Sequence, residues 1–161
     1  MEVFLALGTN LGNKIDNLNM AISAINKLIS TEVLAVSKVY ETEPFDVLDE
    51  QDSYLNCCIK IKTDFSPHVL LGCCLGIEAA MGRLRPFYHA SRIIDIDFIL
   101  CENTKISTKD LTLPHPEFFN RAFVLKPLLD ICDEKDKINF ANRLKSLGEY
   151  GIKVYSESLN F

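Results

Sequence analysis

The chain has 161 residues, of which 48% are apolar and 24% are charged, and its net charge is −5. This length allows a buried core, and we expect one domain over residues 1–161. The acidic balance argues against a nucleic-acid partner. No apolar run reaches the roughly 18 residues that a membrane-spanning helix needs, so we expect no membrane partner.

The six cysteines indicate a compartment. Their spacing fits neither a CxxC metal motif nor a small secreted disulfide framework. They are Cys57, Cys58, Cys73, Cys74, Cys101 and Cys132. We interpret them as reduced thiols that pack as small apolar side chains. The expected location is therefore cytoplasmic.

The first half of the chain predicts a strand, a helix and further β-structure. The apolar run Val3–Leu7 predicts a buried strand. Asn13 can cap a helix with one apolar face. Its members are Ile15, Leu18, Ile22, Ile25 and Ile29. A β-rich stretch, Glu32–Thr42, follows and ends before Pro44.

Residues 54–62 alternate between apolar and polar side chains, which predicts a strand with two different faces. One face carries Leu55, Cys57, Ile59 and Ile61; the other carries Tyr54, Asn56, Cys58, Lys60 and Lys62. Ser66 and Pro67 begin a helix that Gly82 can end. Arg92–Cys101 predicts another strand.

The last third predicts a proline-rich turn at Leu113–Pro116, helices near Phe123–Ile131 and Phe140–Leu147, and a short strand at Ile152–Tyr155. The order β, α, β, β, α, β predicts an α+β fold with a ferredoxin-like core. In this fold an antiparallel sheet has helices on one face and leaves the other face open for a ligand. The C-terminal helices and the short strand would be additions to that core.

Asp95 and Asp97 are the strongest chemical signal in the sequence. Residues two apart on a strand project from the same face, while Ile94, Ile96, Phe98 and Leu100 would fill the opposite face. Two adjacent carboxylates repel each other, and hard oxygen ligands favour Mg²⁺. The alternative is that both acids face water or pair with arginine.

Four of the five arginines lie between positions 83 and 121, and no lysine occurs between Thr63 and Asn103. The guanidinium group can bind phosphate oxygens with two parallel hydrogen bonds. These arginines therefore favour a polyphosphate site beside the aspartates. The alternative is that Arg92 pairs with the aspartates and the other arginines lie on the surface.

Two further motifs are less specific. His115 lies between two prolines, where a restricted loop can direct it at a ligand, although a structural histidine fits equally well. The segment Gly8–Gly12 lacks the spacing of a P-loop or a dinucleotide-binding loop. We interpret it as a strand-to-helix turn that can shape a pocket.

Together these segments resemble the 6-hydroxymethyl-7,8-dihydropterin pyrophosphokinase family. The resemblance covers nearly the whole chain, and its most specific part is the Arg-x-x-Asp-x-Asp segment with a downstream Pro-His. The matching segments are Leu5–Gly12, Tyr40–Pro44, Tyr54–Asn56, Glu78 with Gly82–Arg85, Arg92–Asp97, Leu113–Pro116 and Asn120–Phe123.

The resemblance implies transfer of diphosphate from ATP to the hydroxymethyl group of 6-hydroxymethyl-7,8-dihydropterin, giving AMP, in folate biosynthesis. It implies two Mg²⁺ ions on Asp95 and Asp97, with Arg83 and Arg92 as catalytic arginines. The implied ATP positions are Glu78, Arg85, Arg92, His115 and Arg121. The implied pterin positions are Thr42, Pro44, Phe45, Tyr54, Asn56 and Phe123. A monomer is expected.

The sequence departs from the family at several positions. The loop Pro86–Ser91 lacks an arginine and a tryptophan that many members carry, and Phe87, Tyr88 or His89 could close the site instead. Phe119 stands where a lysine is common, and Asp110 stands where some members have arginine. These departures concern loop closure and phosphate contacts more than the metal ligands.

Two other functions compete with this interpretation. A non-catalytic ferredoxin-like module that binds a metabolite or protein would explain the fold but not the aspartates and arginines. A different Mg²⁺-dependent nucleotidyl- or phosphotransferase would explain both. The nucleotide product separates these possibilities.

Overall fold

The computed structural model describes residues 1–43, 52–83 and 91–161. Within these ranges the chain is a mixed α+β structure with an antiparallel sheet, which confirms the predicted fold class. The strands are β1 (Glu2–Thr9), β2 (Thr31–Val36), β3 (Val39–Thr42), β4 (Tyr54–Thr63), β5 (Asp95–Cys101), β6 (Ile106–Ser107), β7 (Thr112–Leu113) and β8 (Ile152–Ser156). The helices are α1 (Lys14–Asn26), α2 (Pro67–Ala80), α3 (Ala122–Ile131) and α4 (Glu134–Leu147).

The main sheet has the strand order β5-β1-β4-β3-β8, and all of its pairings are antiparallel. Strand β2 pairs with the far end of β4, beside the part that pairs with β3. The predicted β-rich stretch thus divides into two short strands. Strands β6 and β7 form a separate two-stranded sheet.

Alternation along the central strands separates two apolar layers. Val3, Leu5 and Leu7 of β1 are buried against α1 and α2 on one face. Phe4 of β1 and Cys58 of β4 point to the other face, where α3 and α4 cover them. The two core helices therefore lie on one face as expected, and the C-terminal helices cover part of the second face.

Local sequence explains where the helices begin. The side chain of Asn13 accepts a hydrogen bond from the backbone N–H of Asp16, as the predicted cap requires. Helix α2 begins at Pro67, where the missing N–H costs nothing. No helix in the described ranges combines the length and apolar character needed to cross a membrane. All six cysteines are free thiols.

Three expectations are wrong in detail. Helix α1 ends at Asn26, and Ser30 turns the chain with a left-handed backbone (φ 53°), so Ile29 is 80% exposed. Strand β5 begins at Asp95 rather than at Arg92. A register shift between β1 and β5 places Leu100 against the second apolar cluster instead of with Phe98.

Candidate active site on the open part of the sheet

One row of residues crosses three neighbouring strands on the second face of the sheet. Gly8 of β1 pairs with Asn56 of β4 on one side and with Asp95 of β5 on the other. Directly opposed residues in antiparallel strands point to the same face, and neighbouring strands lie about 4.8 Å apart. Asn56 and Asp95 therefore stand about 10 Å apart. Gly8 between them has no side chain, which leaves space above the sheet.

The next row shows that the two aspartates project together. Ala6 pairs with Cys58 and with Asp97, so Asp97 lies one row from Asp95 on the same face. Ile94, Ile96 and Phe98 pack into the first apolar cluster on the opposite face. The spacing in the sequence predicted this separation.

Asp95 is held by two arginines. Arg83 Nη1 lies 2.6 Å from Asp95 Oδ1, and Arg92 Nη1 donates to Asp95 Oδ2. Arg92 therefore pairs with an aspartate, as the alternative interpretation of the sequence allowed. Both arginines also have a buried Nε without a hydrogen-bond partner among the described residues. Both Nε atoms are covered by protein, so these two donors are not open to a ligand in this structure.

Glu78 ties helix α2 to the aspartate strand. Its side chain is almost fully buried, and its Oε1 accepts from Arg83 Nη1. The same oxygen accepts from the backbone N–H of Ile96 at 2.8 Å. Strand β5 is an edge strand of the described sheet. Glu78 therefore supplies an acceptor for a backbone N–H on the outer side of β5. Nothing in the local sequence indicated this bond.

The charges explain the behaviour of Asp97. Burial, and then the neighbouring charge of Asp95, raise the pKa of Asp97 to about 6. Arg121 opposes this shift, with Nη1 lying 3.5 Å from Asp97 Oδ2. A cation between the aspartates would relieve the same repulsion.

The donor set fits Mg²⁺. In the described ranges no three His, Cys, Asp or Glu side chains group as a metal site. Mg²⁺ usually takes one or two carboxylates and completes its shell with water and substrate phosphates. Two carboxylates with open space beside them suit that requirement better than a site formed entirely by protein ligands.

A cleft of about 330 Å³ adjoins Asp95 and Asp97. Leu71 and Leu75 of α2 line it, and Leu111 lies near β7 on its other side. Other lining residues are Glu78, Ile96, Phe98, Lys109, Asp110, Thr112, His115 and Pro116. The apolar walls suit a flat ring, whereas a phosphate tail at the acidic end would require a cation beside the aspartates.

His115 is fixed at this cleft by its backbone and its ring. The backbone N–H of His115 donates to the carbonyl of Ile99 at 2.8 Å. The ring Nδ1 accepts from the backbone N–H of Glu117 at 3.1 Å. Burial, and then the charge of Arg121, lower the pKa of His115. A neutral ring that accepts at Nδ1 carries its proton on Nε2.

Of the residues predicted to bind the pterin, Asn56 lies at the other end of the row. Asn56 Nδ2 donates to Thr42 Oγ1 at 2.7 Å, and both residues are buried. The Tyr54 ring lies 5.9 Å from the guanidinium carbon of Arg92. Phe123 lies in the first turn of α3, half-buried against the second apolar cluster.

Several expected positions lie outside the described residues. These are Pro44, Phe45 and Arg85, together with the loop aromatics Phe87, Tyr88 and His89. The two single positions at which the sequence departs from the family, Asp110 and Phe119, lie within the described residues. Asp110 lines the cleft, and Phe119 packs edge-on against Phe118 and Phe140.

Paired carboxylates and clustered arginines beside a cleft are the groups with which phosphate-transferring enzymes hold metal ions and stabilise phosphate charge. The chain belongs to the 7,8-dihydro-6-hydroxymethylpterin-pyrophosphokinase (HPPK) family, whose model matches residues 4–133.

Relatives of similar length support this assignment. A Bacillus subtilis protein named 2-amino-4-hydroxy-6-hydroxymethyldihydropteridine pyrophosphokinase is 35% identical over 134 residues, covering 83% of this chain and 80% of that protein. A Methylorubrum extorquens protein of the same name is 40% identical over 133 residues, covering 83% of this chain and 84% of that protein.

Longer relatives contain a matching segment. The folic acid synthesis protein fol1 of Schizosaccharomyces pombe is 38% identical over 157 residues, which is 95% of this chain but 21% of that protein. The chain thus spans about a fifth of its length. A Plasmodium falciparum HPPK-DHPS structure superposes with a TM-score of 0.70 at 16% identity, over 95% of this chain and 46% of that one. This likeness supports the fold.

Proposed function

We propose that the chain catalyses Mg²⁺-dependent transfer of diphosphate from ATP to the hydroxymethyl group of 6-hydroxymethyl-7,8-dihydropterin, giving AMP, as a step of folate biosynthesis. Family membership supports the reaction class. The observation that carries the proposal for this chain is the row Asn56–Gly8–Asp95. It places an amide and a carboxylate on the same face of the sheet, with only a glycine between them.

Asn56 is the proposed anchor of the pterin ring. Its amide nitrogen is held by Thr42, which fixes the direction of the carbonyl oxygen Oδ1 towards Gly8. A fixed acceptor can take a hydrogen bond from an amino or ring N–H group of the pterin. Tyr54 and Phe123 would contribute apolar contact with the flat ring. The hydroxymethyl group would then extend over Gly8 towards Asp95.

The cleft beside β5 is the proposed nucleotide site. Leu71, Leu75 and Leu111 offer apolar contact to the adenine ring. His115, with Nε2–H as donor, and Arg121 would face the phosphates. Arg83 and Arg92, which pair with Asp95, would contribute positive charge beside the phosphates. The triphosphate would then end between the arginines and the aspartates.

In the reaction, a bond forms between the hydroxymethyl oxygen and the β-phosphorus of ATP, and the bond from that phosphorus to the α-phosphate oxygen breaks. The hydroxyl proton is released, and AMP is the leaving group. Asp95 and Asp97 would hold two Mg²⁺ ions, which when bound supply charge neutralisation at the phosphates. Arg83 and Arg92, which are held by Asp95, would stabilise the charge that shifts to AMP.

Identification of the nucleotide product tests the proposal. The chain is incubated with ATP, Mg²⁺ and the reduced pterin alcohol, and the products are separated by chromatography. Formation of AMP in step with pterin diphosphate is expected. Formation of ADP would instead indicate an ordinary phosphotransferase. A lack of pterin-dependent ATP consumption would indicate a binding module.

A matched pair of variants excludes a contaminating activity. Asp95→Asn keeps the shape of the side chain but removes its charge, and it should abolish AMP formation. Glu102→Gln changes an exposed acid directly after β5 and should leave the rate unchanged. Equal rates for both variants would contradict the assignment of the aspartate strand.

A further inference from the structure

The turn after β1 contains a buried polar residue to which the proposed chemistry assigns no role. Asn10 lies between Thr9, which ends β1, and the first turn of α1, and it is 2% exposed. A buried side-chain amide is costly unless its polar atoms are hydrogen-bonded. The partners of Asn10 therefore indicate what this residue is for.

Asn10 is bonded to the segment that precedes the aspartate strand. Its backbone N–H donates to the carbonyl of Arg92 at 3.1 Å, and its Oδ1 accepts from the backbone N–H of Arg92 at 2.8 Å. Its Nδ2 also lies 3.4 Å from Ser91 Oγ. One residue thus binds both backbone polar groups of Arg92.

These bonds fix the position of the Arg92 backbone, and therefore of the Cα from which its side chain extends. Arg92 lies outside β5, so the sheet ladder does not hold its backbone. Its guanidinium nevertheless reaches Asp95 and lies over the Tyr54 ring. A long side chain can reach both groups reproducibly only if its Cα is fixed, and the two bonds to Asn10 provide that restraint.

The turn itself is anchored from α1. Asn17 Nδ2 donates to Thr9 Oγ1 at 3.2 Å and to the carbonyl of Leu11 at 2.8 Å. The residues on both sides of Asn10 are therefore tied to the helix. Asn17 therefore belongs to the support of Asn10. A suitable control is Asn26, the last residue of α1, whose Oδ1 accepts from the backbone N–H of Val33 at 3.0 Å.

We propose that Asn10 is a positioning residue for the reaction, which acts by fixing the backbone of Arg92 so that its guanidinium is aligned between Asp95 and the substrate phosphates. This inference rests on the proposed diphosphate transfer. A purely structural role would make Asn10 important for folding but independent of Arg92 in catalysis.

The test is a double-mutant cycle on kcat with Asn10→Ala, Arg92→Ala and the double variant. Misplacement of a catalytic group by about 1 Å can cost roughly 100-fold, so Asn10→Ala should lower kcat roughly 10- to 100-fold. In the Arg92→Ala background the same change should alter kcat less than about twofold, because the group that Asn10 positions is gone. Asn10→Asp keeps an acceptor for the Arg92 N–H and should restore most of the rate. Asn26→Ala, which removes a side-chain bond of the same kind away from Arg92, should stay close to wild type.

Backbone amide hydrogen exchange at Arg92 provides a second readout that needs no turnover. Protection should be lost in Asn10→Ala and retained in Asn26→Ala. If Asn10→Ala does not fold, Asn10→Ser, whose hydroxyl is too short to reach the Arg92 N–H, takes its place. Additive effects on kcat, or protection that survives in the Asn10 variant, would overturn the inference. Wild-type protein that makes no AMP, with the exchange pattern as expected, would instead overturn the proposed reaction.

Discussion

The two faces of the sheet use the same strands for different purposes. On the first face, Val3, Leu5 and Leu7 of β1 are fully covered by α1 and α2. On the second face, the alternate residues of β1 are Phe4, Ala6 and Gly8, and their side chains become smaller along the strand. Phe4 is covered by the second apolar cluster, whereas Gly8 lies between Asn56 and Asp95.

This difference shows how one strand can stabilise the fold with one face and form the base of a ligand site with the other. Along β1 the first face excludes water, so these side chains contribute mainly to the free energy of folding. The second face is apolar at one end and polar at the other. Substitutions on the two faces should therefore separate stability from catalysis.

The largest expected effect is at the aspartates. Asp95→Ala and Asp97→Ala should each lower kcat by roughly 10³-fold or more, since each removes a proposed metal ligand and part of the charge complementarity. The fold should persist in Asp97→Ala, because carboxylate repulsion is relieved. Asp95→Ala should be less stable, because the mostly buried Arg83 and Arg92 lose this carboxylate as a partner. Steady-state kinetics and circular dichroism measure the two effects. Near wild-type turnover of both variants in Mg²⁺ would show that the second face does not carry the chemistry.

A substitution on the first face should do the reverse. Leu5→Ala removes a fully buried side chain and should lower the free energy of unfolding by roughly 2–5 kcal/mol. The kcat and the KM for pterin should stay within about twofold at temperatures where the variant is folded. Ile138→Ala, at an exposed position of α4, is the control and should change stability by less than about 0.5 kcal/mol. A large change in KM without loss of stability would break the separation.

Gly8→Ala tests whether the position between Asn56 and Asp95 must lack a side chain. A Cβ at Gly8 would lie 3.0 Å from Asn56 Oδ1, which the bond to Thr42 prevents from moving freely. We expect the KM for pterin to rise roughly tenfold, equivalent to about 1.4 kcal/mol, with a smaller effect on ATP. Gly72→Ala in α2 meets open space and should raise stability by up to about 1 kcal/mol. Equal pterin affinity for wild type and Gly8→Ala would show that Gly8 is not part of the pterin site.

The smallest expected effect is the pH dependence of stability in Asp97→Asn. The folded pKa of Asp97, about 6, lies above the unfolded value near 4, so the ionised form destabilises the metal-free fold. The variant should be more stable above pH 6, and its advantage should disappear below about pH 4. The side chain is 38% exposed, so screening limits the gain to about 1 kcal/mol. Denaturant unfolding with a chelator at pH 4 and pH 8 measures it; a gain that grows on acidification would contradict the sign.

Periodicity predicted most of the fold. The alternation of Leu55 to Ile61 and the capping residue Asn13 depend on neighbours in sequence, and both were predicted correctly. Ile29 fits the helical period equally well, but the chain turns before it at the end of α1. Leu100 fits the strand period, but a register shift against β1 moves it to the other face. Tertiary pairing decides both cases.

The candidate site follows the same division. The common face of Asp95 and Asp97 follows from their spacing of two. The bond from the Ile96 N–H to Glu78, and the bonds from Asn10 to Arg92, join segments 18 and 82 residues apart. Such bonds satisfy individual edge groups and leave no periodic pattern in the sequence.

Side-chain NMR of the ligand complex tests the central claim most directly. Pterin alcohol is added to protein with Mg²⁺ and a non-hydrolysable ATP analogue, and the signals of the Ala6 methyl, the Asn56 side-chain amide and the Leu5 and Leu7 methyls are followed. Ala6 and Leu7 are adjacent in β1 but face opposite sides of the sheet. We predict large shifts for Ala6 and Asn56 and little change for the two leucines. Shifts confined to the leucines, or absent from Asn56 at saturation, would contradict a pterin site on the second face.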